Sequence, residues 1–283
     1  MTTIENRCAG PVSPVSVTRR GTRAKVVSAL IDFKSGFALW RVWVRLGWND
    51  IRQRYRRSVL GPFWLTASMG IMVLVPGVLY AKLFRSPIDD FLPFLCVGLL
   101  VWNLISSFFT EGGTLFIGAE SYIKQIRLPY SVYVYRSAWS KLIIFAHNSI
   151  IYVAMMLYFG RWPGAVVLLA IPALLLVLAN CALAGLVIGM ASARFRDIPQ
   201  IIISSIQIVF FVTPIMWKPE LLQNRSLVEL NPFYQLVEIV RAPLLGITPS
   251  LDTCLAVLLI SFINLAISGA IFIRFRARIA YWV

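Results

Sequence analysis

The sequence predicts an all-α integral membrane protein with six transmembrane helices, an N-terminal amphipathic interface helix and a partly re-entrant outward segment between the fifth and sixth helices. Of the 283 residues, 59% are hydrophobic and 14% are charged, and the mean hydropathy is +0.77. A soluble domain has about 25% charged residues and cannot cover so much apolar surface. The apolar residues form continuous stretches of about 20 residues, the length of a helix that crosses a bilayer. Lys and Arg lie between these stretches, so charge and apolar content together predict a multi-span protein.

The N-terminal part divides into a tail and an amphipathic segment. Residues 1–35 are polar and basic and lack the apolar region of a signal peptide, so we expect a flexible cytoplasmic tail of open function. In residues 36–57, Trp40, Val44, Trp48 and Ile51 recur at three- and four-residue intervals. This pattern predicts a helix in the membrane interface with arginines towards anionic headgroups, although a basic flank without a fixed pose is the alternative. The residues that we assign to the headgroups are Arg41, Arg45, Arg52, Arg54, Tyr55, Arg56 and Arg57.

Residues 58–283 contain six candidate spans. Continuous apolar runs favour helices over a barrel, whose strands would alternate in polarity. The spans are Ser58–Ala81, Phe91–Thr110, Leu142–Gly160, Trp162–Ala193, Ile198–Trp217 and Thr253–Ile273.

The positive charges predict the orientation. Placing the N-terminal segment in the cytoplasm puts 20 Lys and Arg residues inside and six outside, with Lys141 near a helix entrance. Because cytoplasmic loops are enriched in basic residues, both termini are expected in the cytoplasm. The net charge of +15 then reflects topology, and no nucleic-acid partner is expected.

Two connections between spans are not simple turns. Residues 120–128 are amphipathic and basic and precede Pro129, which predicts a short surface helix that a soluble motor protein could grip. The outward segment, about residues 218–252, is long and contains four prolines among apolar stretches, so short helices that dip into the outer leaflet are expected, with a plain loop as the alternative. Asp197 before Ile198-Pro199 is a candidate N-cap of the fifth span, with contact to a motor protein as the alternative.

Few residues are suited to catalysis. Glu111 lies deep in the second span, where it needs a Lys or Arg partner, lines a pathway or marks the helix end. His147 is the single histidine and is expected to make a helix-packing hydrogen bond. The four cysteines have no metal-ligand spacing, and no phosphate-binding G-x-x-x-x-G-K-[ST] is present. We therefore expect no metal site, no cofactor in this chain and no enzymatic activity.

With these pieces in place, the sequence resembles the transmembrane subunit of ABC-2 type exporters, closest to the polysaccharide and O-antigen permeases. The resemblance rests on residues 50–64, DIRQRYRRSVLGPFW, which are similar to the family pattern D-I-[KR]-x-R-Y-x-x-S-x-L-G-x-x-W. Weaker matches are Phe195-Arg-Asp197 and Asn231-Pro232, and the likeness covers about residues 40–275. The long basic tail departs from the family's shorter N-termini.

The resemblance implies a homodimer in the bacterial inner membrane, joined to two cytoplasmic ATPase subunits that bind ATP and Mg. The implied substrate is a lipid-linked glycan such as O-antigen, capsule, teichoic acid or galactan, with a drug or small lipid as the alternative. The interface helix would correspond to about Leu39–Arg57, and its arginines would lie near lipid phosphates or the substrate pyrophosphate. The coupling helix would include Glu120, Tyr122, Ile123, Lys124, Gln125 and Arg127, with Pro129 as its stop. The outward gate would include Pro219, Asn231, Pro232, Phe233 and Tyr234.

A pathway for sugars would need aromatic rings, on which the apolar faces of sugars can lie. Aromatic residues make up 13% of the chain. The candidates for the pathway are Trp102, Phe108, Phe109, Glu111, Tyr133 and Trp139. An interfacial aromatic belt with ordinary helix packing is the alternative for the rings.

Overall fold

The computed structural model describes residues 22–54, 56, 63–221 and 226–283, and all regular elements in these residues are helical. Tyr55, Arg57 and residues 1–21 lie outside the described residues, as does much of the signature in residues 57–62. The α-helices are α1 Thr22–Ala38, α2 Trp40–Arg54, α3 Phe63–Leu83, α4 Ile88–Gly112, α5 Glu120–Gln125, α6 Ser131–Phe159, α7 Ala170–Arg194, α8 Ile198–Val212, α9 Ser226–Glu229, α10 Pro232–Leu244, α11 Leu251–Phe275 and α12 Ile279–Trp282.

Helix α4 forms the centre of the bundle. In its most apolar stretch 78% of the residues are buried, against 17–28% in the other four long helices. It packs against α3, α6, α7, α8 and α10. Small residues allow close approach: a Cβ atom at Gly112 would lie 3.1 Å from the Gly185 Cα of α7, and one at Gly77 of α3 would lie 3.3 Å from the Leu92 and Leu95 side chains.

Five helices in the described residues are long and apolar enough to cross a membrane, which confirms the predicted all-α membrane fold. They are α3, α4, α6, the continuous segment Gly164–Arg194 and the segment Leu251–Trp282. The fifth predicted span is helical only over Ile198–Val212, 15 residues, or about 22 Å at 1.5 Å per residue. A crossing by α8 alone would be short for about 30 Å of hydrocarbon, so the count of six spans stays a prediction.

The prediction of a flexible tail over residues 1–35 is wrong for its last part, because residues 22–35 belong to α1. This helix packs against α6 and α11 through the buried residues Ala29, Asp32 and Gly36. The exposed side of α1 carries Val27, Leu30, Ile31 and Phe37. The prediction failed because the apolar residues of α1 are interspersed with Lys and Ser, which gives the segment a polar average.

Cap residues explain several helix ends. Asn231 accepts a hydrogen bond from the Phe233 amide at 3.0 Å and begins α10, with Pro232 at the first helical position. Ser250 caps α11 in the same way, and Gly160 ends α6 in the left-handed region. Asp197 lies at the N-cap position of α8 but makes no side-chain cap hydrogen bond, so its predicted capping role is wrong.

The segment of residues 218–252 contains a 3₁₀ turn at Pro219–Leu221 and helices α9 and α10. Helix α10 packs on α4, α7 and α11 through Leu236, Val237, Ile239 and Val240, and all four are buried. The short helices are as expected, whereas their depth in a membrane stays a prediction.

Candidate functional site at the α2 end of the bundle

Helix α2 lies along α6 because a glycine permits close contact. Gly47 and Ile51 are its buried residues. A Cβ atom at Gly47 would lie 2.9 Å from the Arg136 backbone oxygen and 3.0 Å from the Trp139 ring. Trp43 packs edge-on against Trp139, with 6.2 Å between the ring centroids. The face of α2 that meets α6 therefore starts at Trp43, whereas Trp40 and Trp48 are exposed.

The arginines of α2 divide into two groups. Arg41, Arg45, Arg52 and, just beyond the helix, Arg56 are exposed, in agreement with the amphipathic pattern. Arg54 is exposed as well but has a partner on α4, because its Nη2 lies 3.0 Å from Glu111 Oε1. The role of these arginines at headgroups stays a prediction, and Arg54 in addition takes part in an ion-pair network between helices.

Glu111 is the centre of this network. Its Oε2 accepts a hydrogen bond from Lys141 Nζ of α6 at 3.1 Å, and Lys141 also donates to Ser137 Oγ at 2.8 Å. The Lys141 side chain is 2% exposed, and its ammonium lies 5.0 Å from the centre of the Phe108 ring. The partner that the sequence required for Glu111 is therefore found on two neighbouring helices.

A second pair links α2 to α6 nearby. Arg136 Nε donates to Asp50 Oδ2 at 2.6 Å, and a second bond joins Arg136 Nη2 to Asp50 Oδ1. Such a two-bond pair fixes direction as well as distance. With Arg54–Glu111, it holds the second half of α2 against both α4 and α6.

These pairs line a cavity of about 590 Å³ between α2, α4 and α6. Three cationic residues, two acidic residues and four residues that carry hydroxyls, Thr114, Ser137, Ser140 and Tyr133, line it. The lining residues are Asp50, Ile51, Gln53, Arg54, Glu111, Thr114, Leu115, Gly118, Ala119, Tyr133, Arg136, Ser137, Ser140, Lys141 and Ile144. Among the described residues, none forms a hydrogen bond with the buried Tyr133 hydroxyl. The cavity thus offers donors and acceptors together, as a polyol or a charged headgroup requires.

The predicted coupling helix is shorter than expected. Helix α5 ends at Gln125, and Ile126 is extended, so residues 126–128 are not helical. No residue of α5 is buried, and Tyr122 and Ile126 are 43% and 51% exposed. Lys124 Nζ lies 2.6 Å from Glu120 Oε1, and this hydrogen bond holds the pKa of the Glu120 carboxyl below its usual range. The carboxylate therefore remains charged at mildly acidic pH, and α5 exposes both apolar and charged groups, whereas its contact with an ATPase stays a prediction.

Most of the proposed pathway aromatics belong to the core of this chain. Trp102 and Phe108 are buried, and the Trp102 ring packs against Phe210 and Phe233 at centroid distances of 5.7 and 6.0 Å. Phe109 and Trp139 are half-buried. Glu111 and Tyr133 alone among the six candidates line the charged cavity. A pathway role for the others stays a prediction.

At the opposite end, a buried arginine contacts one of the gate candidates, Tyr234. Arg241 of α10 is 1% exposed, donates to the Pro214 carbonyl at 2.9 Å and pairs with Glu238. Its guanidinium carbon lies 4.1 Å from the centre of the Phe94 ring and 5.9 Å from that of Tyr234. Asn231 accepts the hydrogen bond of the Phe233 amide at the start of α10, whereas Pro219 lies in the separate 3₁₀ turn.

Sequence reasoning missed four charged residues: Asp32, Arg136, Lys141 and Arg241. It counted the three basic residues only as topology signals and omitted Asp32 as part of a tail. A signal was present for Lys141, which stands alone at the start of an apolar span and needs a carboxylate in reach.

The geometry agrees with comparisons to known proteins. The model of the family described as ABC-2 type transporter matches residues 41–245. This chain belongs to that family. The matched range begins in α2 and includes α5, the charged cavity and α10, so the described site is part of the ABC-2 fold.

Three similar proteins are O-antigen export system permease proteins named RfbA. The one from Myxococcus xanthus is 25% identical over 194 residues, which cover 67% of this chain and 74% of that protein. Two from Klebsiella pneumoniae are 22% and 21% identical over 193 and 196 residues, with the same coverage. Membership in the ABC-2 family and these relatives identify a multi-pass membrane protein that acts as a transport subunit.

Proposed function

We propose that this chain is the permease subunit of an ATP-driven exporter that moves a lipid-linked polysaccharide across the bacterial inner membrane. The observation that supports the substrate is the similarity to three O-antigen export permeases over 67% of the chain. The substrate class includes O-antigen, capsule, teichoic acid and galactan. Two copies of the chain form the path, and two ABC ATPase subunits, which bind ATP and Mg, supply the energy.

The proposed force path begins at α5. This helix is short and exposed. The connection from it to α6 begins at Ile126, which is extended. A closing ATPase pair moves α5, and α6 carries the displacement towards the bundle. Because α6 pairs with α2 and α4 through Arg136 and Lys141, the displacement reaches the charged cavity.

The cavity suits the head of a glycan lipid better than a simple anion. Its two carboxylates largely compensate its three cations, so a phosphate would compete with Asp50 and Glu111 for the same donors. A sugar that follows a diphosphate presents hydroxyls to the carboxylates while its phosphates meet Arg54, which is half-exposed. The sugar and the phosphates of the head group would thereby both have binding partners in the same cavity.

Reconstitution with lipid-linked glycan tests this function. The chain is purified with its partner ATPase, placed in liposomes and supplied with ATP and an undecaprenyl diphosphate-linked glycan. We expect ATP turnover to rise with the glycan lipid and glycan to appear on the far side of the membrane.

The control uses the same lipid without its glycan, together with hydrophobic drugs. Stimulation by a drug or a small lipid, with no response to the glycan, would replace the proposed substrate with the alternative. A complex that responds to none of these would contradict the exporter function.

A further inference from the structure

Asp32 joins three separate parts of the chain at one buried carboxylate. Oδ1 accepts a hydrogen bond from the Ser131 amide at 2.9 Å, and Oδ2 accepts from the Tyr130 amide at 3.2 Å and from Arg276 Nε at 2.7 Å. The Asp32 backbone oxygen accepts a further bond from Ser131 Oγ at 2.7 Å. The side chain of Asp32 is fully buried.

The Asp32 carboxylate of α1 binds at one end of α6, its N-terminus. Tyr130 is the N-cap residue of α6 and Ser131 is its first helical residue, and the amides at this end of a helix have no partners within the helix. A negative charge at this end is also favoured by the helix dipole. Asp32, from another helix and about a hundred residues earlier, supplies the cap that the local sequence lacks.

The contact is close as well as polar. A Cβ atom at Gly36 would lie 2.0 Å from Ser131 Oγ and 3.3 Å from the Val132 backbone nitrogen, so only a glycine lets α1 approach the start of α6 this closely. Arg276 adds the segment that follows α11. Three chain regions therefore meet where α5 leads into α6.

Helix α5 itself is held much less tightly. A cleft of about 530 Å³ separates α1 from α5 and is lined by residues such as Ile31, Ile123, Arg127 and Arg276. The one long-range hydrogen bond that the described residues provide to α5 runs from Lys124 Nζ to the Val283 carbonyl, at 3.3 Å. Its other contacts are the packing of the partly buried Ile123 against the core and the Tyr122 ring, whose centre lies 6.0 Å from the Arg136 guanidinium carbon. Helix α5 is therefore held by few contacts, whereas residues 130–131 after it are bound by Asp32.

We infer that Asp32 is a positioning residue for energy coupling: it fixes the exit of α5 as a pivot, so that motion of α5 turns α6. This inference rests on the proposed function, in which an ATPase moves α5. Without the carboxylate, the start of α6 moves together with α5 and α6 does not turn. Less glycan is then exported for each ATP hydrolysed.

The test compares Asp32→Asn and Asp32→Ala with the control Asp252→Asn, an exposed acid at the start of α11. The measured quantity is the ratio of glycan exported to ATP hydrolysed in the reconstituted complex. We expect a loss of roughly tenfold for Asp32→Ala, the scale of a lost charged hydrogen bond. The loss is smaller for Asp32→Asn, which keeps one acceptor, and the control has the wild-type ratio.

A second measurement separates this inference from the proposed function. Hydrogen exchange in the purified chain without ATPase should be faster at residues 126–134 in Asp32→Ala, and unchanged in α4. Faster exchange with an unchanged export ratio would overturn the pivot, as would unchanged exchange at residues 126–134. A wild-type complex that does not couple ATP to export would instead count against the proposed function alone.

Discussion

At the scale of single residues, the buried Lys141 ammonium determines what Glu111 does. Lys141 is almost fully enclosed, whereas Glu111 and Arg54 remain 40% and 47% exposed. Removing a carboxylate from a buried cation is costly because the charge has no water to replace it. An exposed pair adds little, since water screens it. The two ion pairs of Glu111 should therefore have different strengths.

Glu111→Gln should lower the stability of the detergent-solubilised chain by about 2–3 kcal/mol, because Lys141 is left buried and unpaired. Arg54→Gln should change stability by about 1 kcal/mol or less. Thermal unfolding in one detergent measures both, and Glu111→Gln with Lys141→Met should recover part of the loss. Equal shifts for the two single variants would show that the Lys141 pair has no special weight.

At the scale of elements, the contact between α2 and α6 depends on the absence of a side chain at Gly47. The nearest group is a backbone oxygen, which cannot rotate away. The ion pairs of Asp50 and Arg54 lie one and two turns further along α2. Separation of the helices at Gly47 therefore changes the cavity as well as the packing.

Gly47→Ala should destabilise the chain by about 1–3 kcal/mol through overpacking against α6. The matched control is Gly269→Ala in α11, where no atom lies within 4 Å of the added Cβ. The control should be neutral or slightly stabilising, because alanine favours a helix by about 0.5–1 kcal/mol over glycine. Thermal unfolding compares them, and similar results for both variants would contradict the close α2–α6 contact.

At the scale of the whole molecule, the open question of topology is whether α8 crosses the membrane. Its 15 residues are apolar, and the connection after it continues through Thr213 to Trp217 before α10 turns back into the bundle. If residues 213–217, which form turns and bends, complete the crossing, residues before and after this segment lie on opposite sides. The positive charges predict this arrangement.

Single cysteines at Arg196 and Lys218 should be labelled from opposite sides by a membrane-impermeant maleimide. The background is a variant without native cysteines, and Arg45→Cys and Trp162→Cys mark the two faces. We expect Arg196→Cys to be labelled from the cytoplasmic side, as Arg45→Cys is. Lys218→Cys should be labelled from the opposite side, as Trp162→Cys is. Labelling of Arg196→Cys and Lys218→Cys from one side would establish five crossings.

The sequence was sufficient for the fold class because long apolar stretches and interspersed arginines act locally. It also indicated helices close to α2 and α5, whose amphipathic patterns lie within a few positions, and short helices without bounds between residues 218 and 252. It was not sufficient for Asp32, for Arg136 or for the contact of Arg241 with Pro214, because these partners lie 99, 86 and 27 positions away. A local pattern contains no information about such pairings, so these residues could be assigned only once the helices were packed.

Helix α4 has a consequence for how the protein is made. In the folded protein α4 is surrounded by other helices. Four of them, α6, α7, α8 and α10, are synthesised after it. During synthesis, which proceeds from the N-terminus, α4 must therefore remain in lipid before most of its partners exist. Its high apolar content suits this temporary exposure, although the finished structure leaves little of the helix facing outward. A polar substitution in α4 that the folded bundle could accommodate should still reduce the yield of inserted protein.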